Sequence, residues 1–471
     1  MSERKASAVL PTADRSALEE LRAAVRGDVL EPGDNGYEAA RKIWNGMIDK
    51  RPALIVRCSG VADVLAAVKV ARERGLLVAV RGGGHNWAGL AACDDGILID
   101  LSPMKGILID PEARTARVQG GATWGDLDHE CQPFGLAVTG GHITTTGIAG
   151  LTLGGGIGWL CRKLGLTVDN LLAVDLVTAD GRFVRCSADE HADLFWGVCG
   201  GGGNFGIATS FTFRLHPVDT VVGGLAFWPA DRAADLLRFY RRYLESVPGE
   251  LTTLVAFLVG PPAPFLPKSM HGVPLVAVGT CYAGDTAQGM RAVQPIKEFG
   301  PPGADLIGPM PYQIHQALLD PILPPGLRYY VKSVYLDELG DDAIDALVEH
   351  SARMSSPLSL TTLQHYGGAV SRVDADATAY AYRNAAFAVT MGAAWTDAGE
   401  DDRHIAWSRD FYASMLPLSH GVYVNFMGMG EGEDRVREAY GAKTYDRLVA
   451  LKNRYDPTNL FRVNHNIRPT V

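Results

Sequence analysis

The run VAVRGGGHNWAG, residues 78–89, places one imidazole behind three residues that have no side chain. Successive glycine N–H groups can form a concave nest for an anion without a helix dipole. With the neighbouring side chains gone, a flat ring system can approach until His85 touches its edge. A neutral imidazole nitrogen is nucleophilic and can bond an electrophilic carbon. A second glycine run, residues 154–158, offers another bare surface, and two such nests suit a pyrophosphate-bearing ligand. Further on, GVYVNFM reads as a strand in which Tyr423 and Asn425, two apart, share one face. LRYYVKSVYL reads the same way, with Arg328, Tyr330 and Lys332 on a common face. A tyrosine of ordinary pKa, about 10, is a poor base at neutral pH. Lys332 is the cation that would lower it.

Gly201, Gly203 and Gly206 in GGGNFG form a dinucleotide-type fingerprint, a motif that needs a strand before it and a helix after it. Here the helical ADLFWGV precedes and the β-rich IATSFTFRL follows. A tight turn supporting a strand is therefore the better reading. GGGH at 82–85 likewise opens no helix. No cluster of His, Cys and carboxylate has metal-ligand spacing.

The elements that must position these groups are partly legible. Residues 15–29 and 36–48 carry helical spacing, and ALIVRC is a short strand. SGVADVLAAVKVARERGL follows as a helix, with Ser59 as its cap and Gly75 as its stop. GILIDLS and TARVQGG read as strands. The segment 139–170 is dense in glycine, so its backbone is expected to make close contacts. LLAVDLVTADGRFVRC is a hairpin turning at Asp180-Gly181. After HPVD, residues 216–219, strand-like runs alternate with amphipathic helices, which predicts a second α+β unit on a broad, largely antiparallel sheet. A last helix, GEDRVREAYGAKTYDRLVALKNRYD, leads into PTNLFRVNHNIRP.

The chain has 471 residues, enough for two or three domains, and 47% of them are hydrophobic. Lys and Arg number 44 against 53 Asp and Glu, a net charge of −9 with no basic run, which disfavours nucleic acid as a partner. The opening MSERKASAVLPTADRSALEE lacks the apolar core of a signal peptide, and no window reads as a membrane span. Seven cysteines without a CxxC pair fit reduced thiols better than a disulfide frame. The expectation is a soluble cytoplasmic protein with no membrane partner.

Four stretches together carry a resemblance: VAVRGGGHNWAG, ILIDLSPMKGILIDPEARTARVQGGATWGDLD, TTGIAGLTLGGGIGWLCRKLGLTVDNLLAVDLVTADGR and YDPTNLFRVNHNIRP. In this order, from about residue 36 to the C-terminus, the chain resembles the berberine-bridge-enzyme-like oxidases of the vanillyl-alcohol-oxidase superfamily. The resemblance implies an α+β, two-domain fold with a split, PCMH-type FAD-binding domain. Its first part would span 1–217, a substrate domain 218–430, and a completing C-terminal segment 431–471. It implies a covalent bond from His85 to the flavin 8α carbon, with Arg81, Gly82, Gly83, Gly84, His85 and Asn86 wrapping the cofactor. Gly121, Gly140, Gly141, Gly147, Gly150, Gly154, Gly155 and Gly158 would line the FAD groove. Gly206 and Ile207 would lie at the adenine end, and Asn464 and Asn466 would close over the flavin.

Many relatives bond the flavin a second time through a Cys four residues before the glycine matching Gly147. Ile143 stands there, so a single link is expected, and Cys161 reads as a buried small residue. Thr146, just before Gly147, would leave room for O2 at the reactive edge and favours an oxidase over a dehydrogenase. The family places a YxN strand over the flavin, which makes Tyr423 the candidate base, with Asn425, Lys332 and Tyr330 around it. LQHYGGA and TAYAYRNAAF match substrate-facing family strands, the second with Tyr382-Arg383 where relatives often have His-Arg. Gln364 is the expected substrate contact; His365 points the opposite way and stays undecided, and His142 would line the channel or be a satisfied loop residue. The implied activity is an FAD-dependent oxidase moving a hydride from a small alcohol, sugar or amine to covalent FAD and then to O2, giving H2O2. The alternatives are a dehydrogenase or oxidative cyclase of the same fold, and a catalytically degenerate flavin-binding protein. The oligomeric state is left open.

Overall fold

The computed structural model describes residues 12–471; the first eleven residues of the opening segment lie outside it. Leu54–Arg57 and Val78–Arg81 flank Ile97–Asp100 in a parallel sheet, and Asp28–Leu30 adds an antiparallel edge. The helix Val61–Arg74 joins the first two parallel strands and stops at Gly75, which turns left-handed at φ 64°. Its start differs from expectation. Ser59 is no cap: Gly60 holds the N-cap position, and the Asp63 carboxylate accepts the N–H groups of Ser59, Arg26 and Gly27 at 2.8, 2.9 and 3.1 Å.

The helix expected over 36–48 is only one turn, Tyr37–Ala40. At Gly46 the chain runs against the far half of the protein, where its N–H donates to Leu327 O at 2.7 Å. A Cβ on Gly46 would sit 2.1 Å from Gly326 O, so tertiary contact overrides helical propensity here. A five-stranded antiparallel sheet follows, in the order Ile107–Asp110, Thr115–Gln119, Ile207–Arg214, Leu171–Val177, Phe183–Ser187. The last two form the expected hairpin, with Gly181 at φ +81°.

The eight-stranded sheet lies within 220–395, and its paired strands are antiparallel. Its site-forming edge runs Leu251–Val259, Leu360–His365, Phe387–Trp395, Arg328–Leu336. Alternation divides each strand between two environments. Tyr330, Leu363, Val389 and Met391 pack under the helices Ala233–Leu244, Asp341–Ala352 and Asp401–Met415. Tyr329, Val331, Leu360, Thr362 and Thr390 take the other face, toward the first half of the chain.

Two expected strands are absent. TAYAYRNAAF enters strand only at Phe387, because Arg383, 1% exposed, is held by Asp169 at 2.7 Å and by Thr378 at 2.7 Å in an irregular segment. GVYVNFM is an irregular stretch with a 3-10 turn at Val424–Phe426. The last helix is two, Glu433–Tyr440 and Ala442–Tyr455, separated by Gly441 at φ +68°. Leu448, Leu451 and Tyr455 return to the core that holds Trp196 and Phe205.

Lys452 locks this return. Its ammonium, fully buried, donates to Asp456 Oδ2 at 2.7 Å and to the carbonyls of Asn204 and Phe461, both at 2.9 Å. All seven cysteines are buried and free. No helix among the described residues is long and apolar enough to cross a membrane. Lys452→Met is expected to leave a buried, unpaired carboxylate and to destabilise by about 3–5 kcal/mol. Chemical denaturation checks this, and Asp456→Asn in the same background should recover part of the loss.

Candidate active site

Between the open face of the large sheet and the glycine loops lies a cavity of about 360 Å³. One wall is nearly all backbone. Gly82, Gly83 and Gly84 continue from the strand Val78–Arg81, and Gly147 meets them from the N-cap of the helix Ile148–Leu153. A Cβ on Gly83 would sit 2.3 Å from Gly147 N, and one on Gly147 would sit 2.3 Å from Gly83 N. The two loops therefore touch only because both residues are glycine. Gly150 and Gly203 also line the wall with open space where a Cβ would stand. The far end is closed by Gly206, Ile207, Phe461 and Asn464.

His85 stands on this wall. Its Nε2 hydrogen-bonds Thr145 Oγ1 at 2.9 Å, and Nδ1 lies 3.5 Å from Thr146 Oγ1. Burial lowers its pKa to about 4, so the imidazole is neutral and retains a lone pair at physiological pH. Trp44 stacks on it with ring centres 4.9 Å apart, and on its other side stacks on Tyr329 at 4.0 Å. Asn45 fixes this group: its Nδ2 donates to Trp87 O at 3.1 Å and Tyr329 O at 3.0 Å, while Oδ1 accepts Tyr329 N–H at 3.1 Å. Neither Trp44 nor Asn45 was singled out from sequence. The only signal is the WNG tripeptide inside an apparent helix.

The opposite wall carries Gln364, whose Nε2 lies 3.3 Å from His142 Nε2. His142 packs edge-on against Trp159, which packs the same way on His315. Burial, with a smaller contribution from His315, lowers the His142 pKa to about 3. His365 points away, against Arg162 at 3.2 Å.

Tyr330 and Lys332 do not reach the cavity. They have the helix-facing parity of their strand, whereas Tyr329 and Val331 line the site. Lys332 Nζ pairs with Glu431 at 2.5 Å, and Tyr330 accepts from Arg409 at 3.0 Å. Tyr423 and Asn425 do line it, brought together by the 3-10 turn rather than by strand alternation. The Tyr423 hydroxyl accepts from Gly156 N–H and from Asn425 Nδ2, both at 2.7 Å. Burial pushes its pKa well above the ordinary tyrosine value, and none of the described lysines lines the cavity beside it. Lys332, the cation expected to lower that pKa, is thus engaged elsewhere, and burial acts in the opposite direction.

Of the expected cofactor residues, Gly82, Gly83, Gly84, His85, Asn86, Gly141, Thr146, Gly147, Gly150, Gly206, Ile207 and Asn464 line the cavity. Arg81 does not: its guanidinium grips Asp100 at 3.0 and 2.5 Å and the carbonyls of Ala40 and Lys42. Gly121, Gly140, Gly154, Gly155 and Gly158 lie off the wall. Their missing side chains admit, in turn, Leu101 O, Trp124, Asn425, Tyr380 and Gly140 O. Asn466 also lies off the wall. Ile143 lines the cavity, no cysteine does, and Cys161 is buried in the core.

A backbone-walled cavity facing a large antiparallel sheet, closed by a returning C-terminal segment, defines a flavin oxidoreductase of the vanillyl-alcohol-oxidase type. Residues 52–187 match the model of an FAD binding domain, and 422–468 that of berberine and berberine-like proteins. The chain is 33% identical over 457 residues to an FAD-linked oxidoreductase of Dictyostelium discoideum, covering 96% of this chain and 97% of the relative. It is 30% identical over 466 residues to (R)-6-hydroxynicotine oxidase of Paenarthrobacter nicotinovorans, covering 95% and 97%. The solved 6-hydroxy-D-nicotine oxidase of Arthrobacter nicotinovorans superposes with a TM-score of 0.84 at 29% identity, over 94% of this chain and 98% of that one. The chain belongs to the berberine-bridge-enzyme-like FAD-linked oxidoreductases.

The residues present fit FAD. The bare Gly82–Gly84 and Gly147 wall can place N–H groups against a pyrophosphate, and Gly150 and Gly203 leave room for a ligand at van der Waals distance. Oδ1 of Asn464 and Nε2 of His465, both residues of the cavity lining, are buried without a partner.

Two outcomes follow. Gly147→Ala is expected to push the loops apart, to cost about 1–3 kcal/mol and to strip bound flavin, read by thermal unfolding and the visible spectrum. The second concerns His315, whose pKa burial lowers to about 4 while the unfolded value stays at about 6.5. The unfolded chain therefore binds more protons as pH falls from 6.5 toward 4, and the native state loses stability across that window, by ~1.4 kcal/mol per pH unit from this group. In His315→Gln, which can keep the bond to Thr280 O, the slope of midpoint against pH should flatten. Unchanged slopes would dismiss His315 as a contributor.

Proposed function

We propose that the protein is an FAD-linked oxidase that holds its cofactor through a single covalent bond from His85 and oxidises a small molecule, with O2 reduced to H2O2. The observation that carries this is the neutral His85 imidazole, presented from a side-chain-free loop on a cavity wall that contains no cysteine. Held by the Gly82–Gly84 and Gly147 wall and by His85, bound FAD would supply the hydride-accepting and electron-donating chemistry that the protein itself lacks.

The chain's own residues do the positioning. Thr145 and Thr146 orient His85, and the Trp44 ring restricts its rotation. Tyr423 and Asn425 pin Gly156 and Leu151 O, so the glycine run keeps its shape under the ligand. Thr146 brings a small hydroxyl-bearing side chain to the wall beside His85. The apolar residues around it exclude water from the reacting atoms.

The test is direct. Acid-precipitated protein should stay yellow, and His85→Ala should release all of its colour into the supernatant. With an oxidisable substrate in air, one H2O2 should appear per O2 consumed. Colour lost from the parent protein removes the covalent assignment. Turnover with an artificial acceptor under nitrogen, and none with O2, would make the protein a dehydrogenase instead.

A further inference from the structure

Among the described residues, no Asp, Glu, Lys or Arg lines the cavity. The charged groups of the surrounding elements are turned away and paired: Lys332 with Glu431, Arg328 with Asp401 and Arg383 with Asp169. The sheet side of the cavity is a grid of apolar and small residues, in which Tyr329 faces Ala394 and Val331 faces Gly392 across the strands. Thr362 and Thr390 bring two hydroxyls to this floor, but they hydrogen-bond each other at 2.5 Å. One polar couple remains open on this side, Gln364 with His142. Its geometry is informative. With Gln364 Nε2 donating to His142 Nε2, the imidazole proton sits on Nδ1, which makes no hydrogen bond among the described residues.

We propose that this cavity takes an uncharged, flat, largely hydrophobic alcohol whose hydroxyl oxygen accepts from His142 Nδ1–H. The inference rests on the oxidase reading above for what then happens to the substrate, and on the wall alone for what can enter.

The physical argument is one of exclusion. An ammonium or carboxylate would surrender its hydration shell and meet no opposite charge. A sugar would bring a hydroxyl on nearly every carbon to a wall with one open polar couple, and each unpaired group is costly. An aromatic or fused-ring alcohol loses little on entry. It gains contact with Tyr329, Val331 and Leu360, and Trp87 lines the same space. His142 acts here as a positioning residue that selects for one hydroxyl.

The experiment uses the flavin-loaded protein under nitrogen with five probes: 2-naphthalenemethanol, 2-methylnaphthalene, 2-naphthylmethylamine, 2-naphthoate and cellobiose. Binding is read from tryptophan fluorescence and the perturbed flavin spectrum, and reduction from flavin bleaching. The alcohol is expected to bind at least tenfold more tightly than the amine, the acid or cellobiose. His142→Phe should weaken the alcohol several-fold and leave 2-methylnaphthalene unchanged, a split that a merely structural role would not produce. Gln364→Glu should move the preference toward the amine by at least tenfold. Cellobiose or either ion binding as tightly as the alcohol, or no binding of the alcohol, overturns the proposal. Bleaching by cellobiose would overturn it while supporting the oxidase. The alcohol bound as expected with no probe bleaching the flavin supports the proposal and counts against the oxidase.

Discussion

The site depends on two loops meeting where neither has a side chain. Gly83 and Gly147 approach so closely that a single methyl on either would enter the other's amide. That contact joins a parallel-sheet strand end to a helix start. A backbone-only wall is rigid, carries no rotamer entropy and can approach a ligand more nearly than any side chain would allow. The cost is borne elsewhere: five nearby glycines, at 121, 140, 154, 155 and 158, leave room for protein atoms rather than for ligand. Glycine density in this segment thus has two causes, which only coordinates separate.

The second constraint is the alternation of the large sheet. One parity of its strands supplies the hydrophobic contacts to the helices, and the other supplies the cavity. Arg328, Tyr330 and Lys332 take the helix-facing side or the sheet edge, where Asp401, Arg409 and Glu431 satisfy them. A cavity free of charge is therefore a property of register, since a slip by one residue would deliver Lys332 into it.

The glycine loop with its histidine, the hairpin, the class of the large sheet and the family were all legible in the sequence, because motif order and hydrophobic period encode them locally. The cavity-facing side of Arg328–Leu336 was not. Tyr329 and Tyr330 are adjacent and alike, and nothing local says which one faces inward; the strand's pairing to Phe387–Trp395 and the helices behind it decide. Trp44 was hidden for a related reason, its helical spacing being overridden by a backbone approach to Gly326. Tyr423 and Asn425 came together as expected but through a 3-10 turn, so a correct pairing rested on the wrong geometry.

The seven cysteines carry a consequence for how the protein meets oxidants. Thiols are oxidised as thiolates, and burial holds every one of them protonated, Cys93 and Cys161 at about 11 and Cys186 at about 12. An oxidant that reaches the protein would find no ionised sulfur among them. The core thus shields its own sulfur from oxidation.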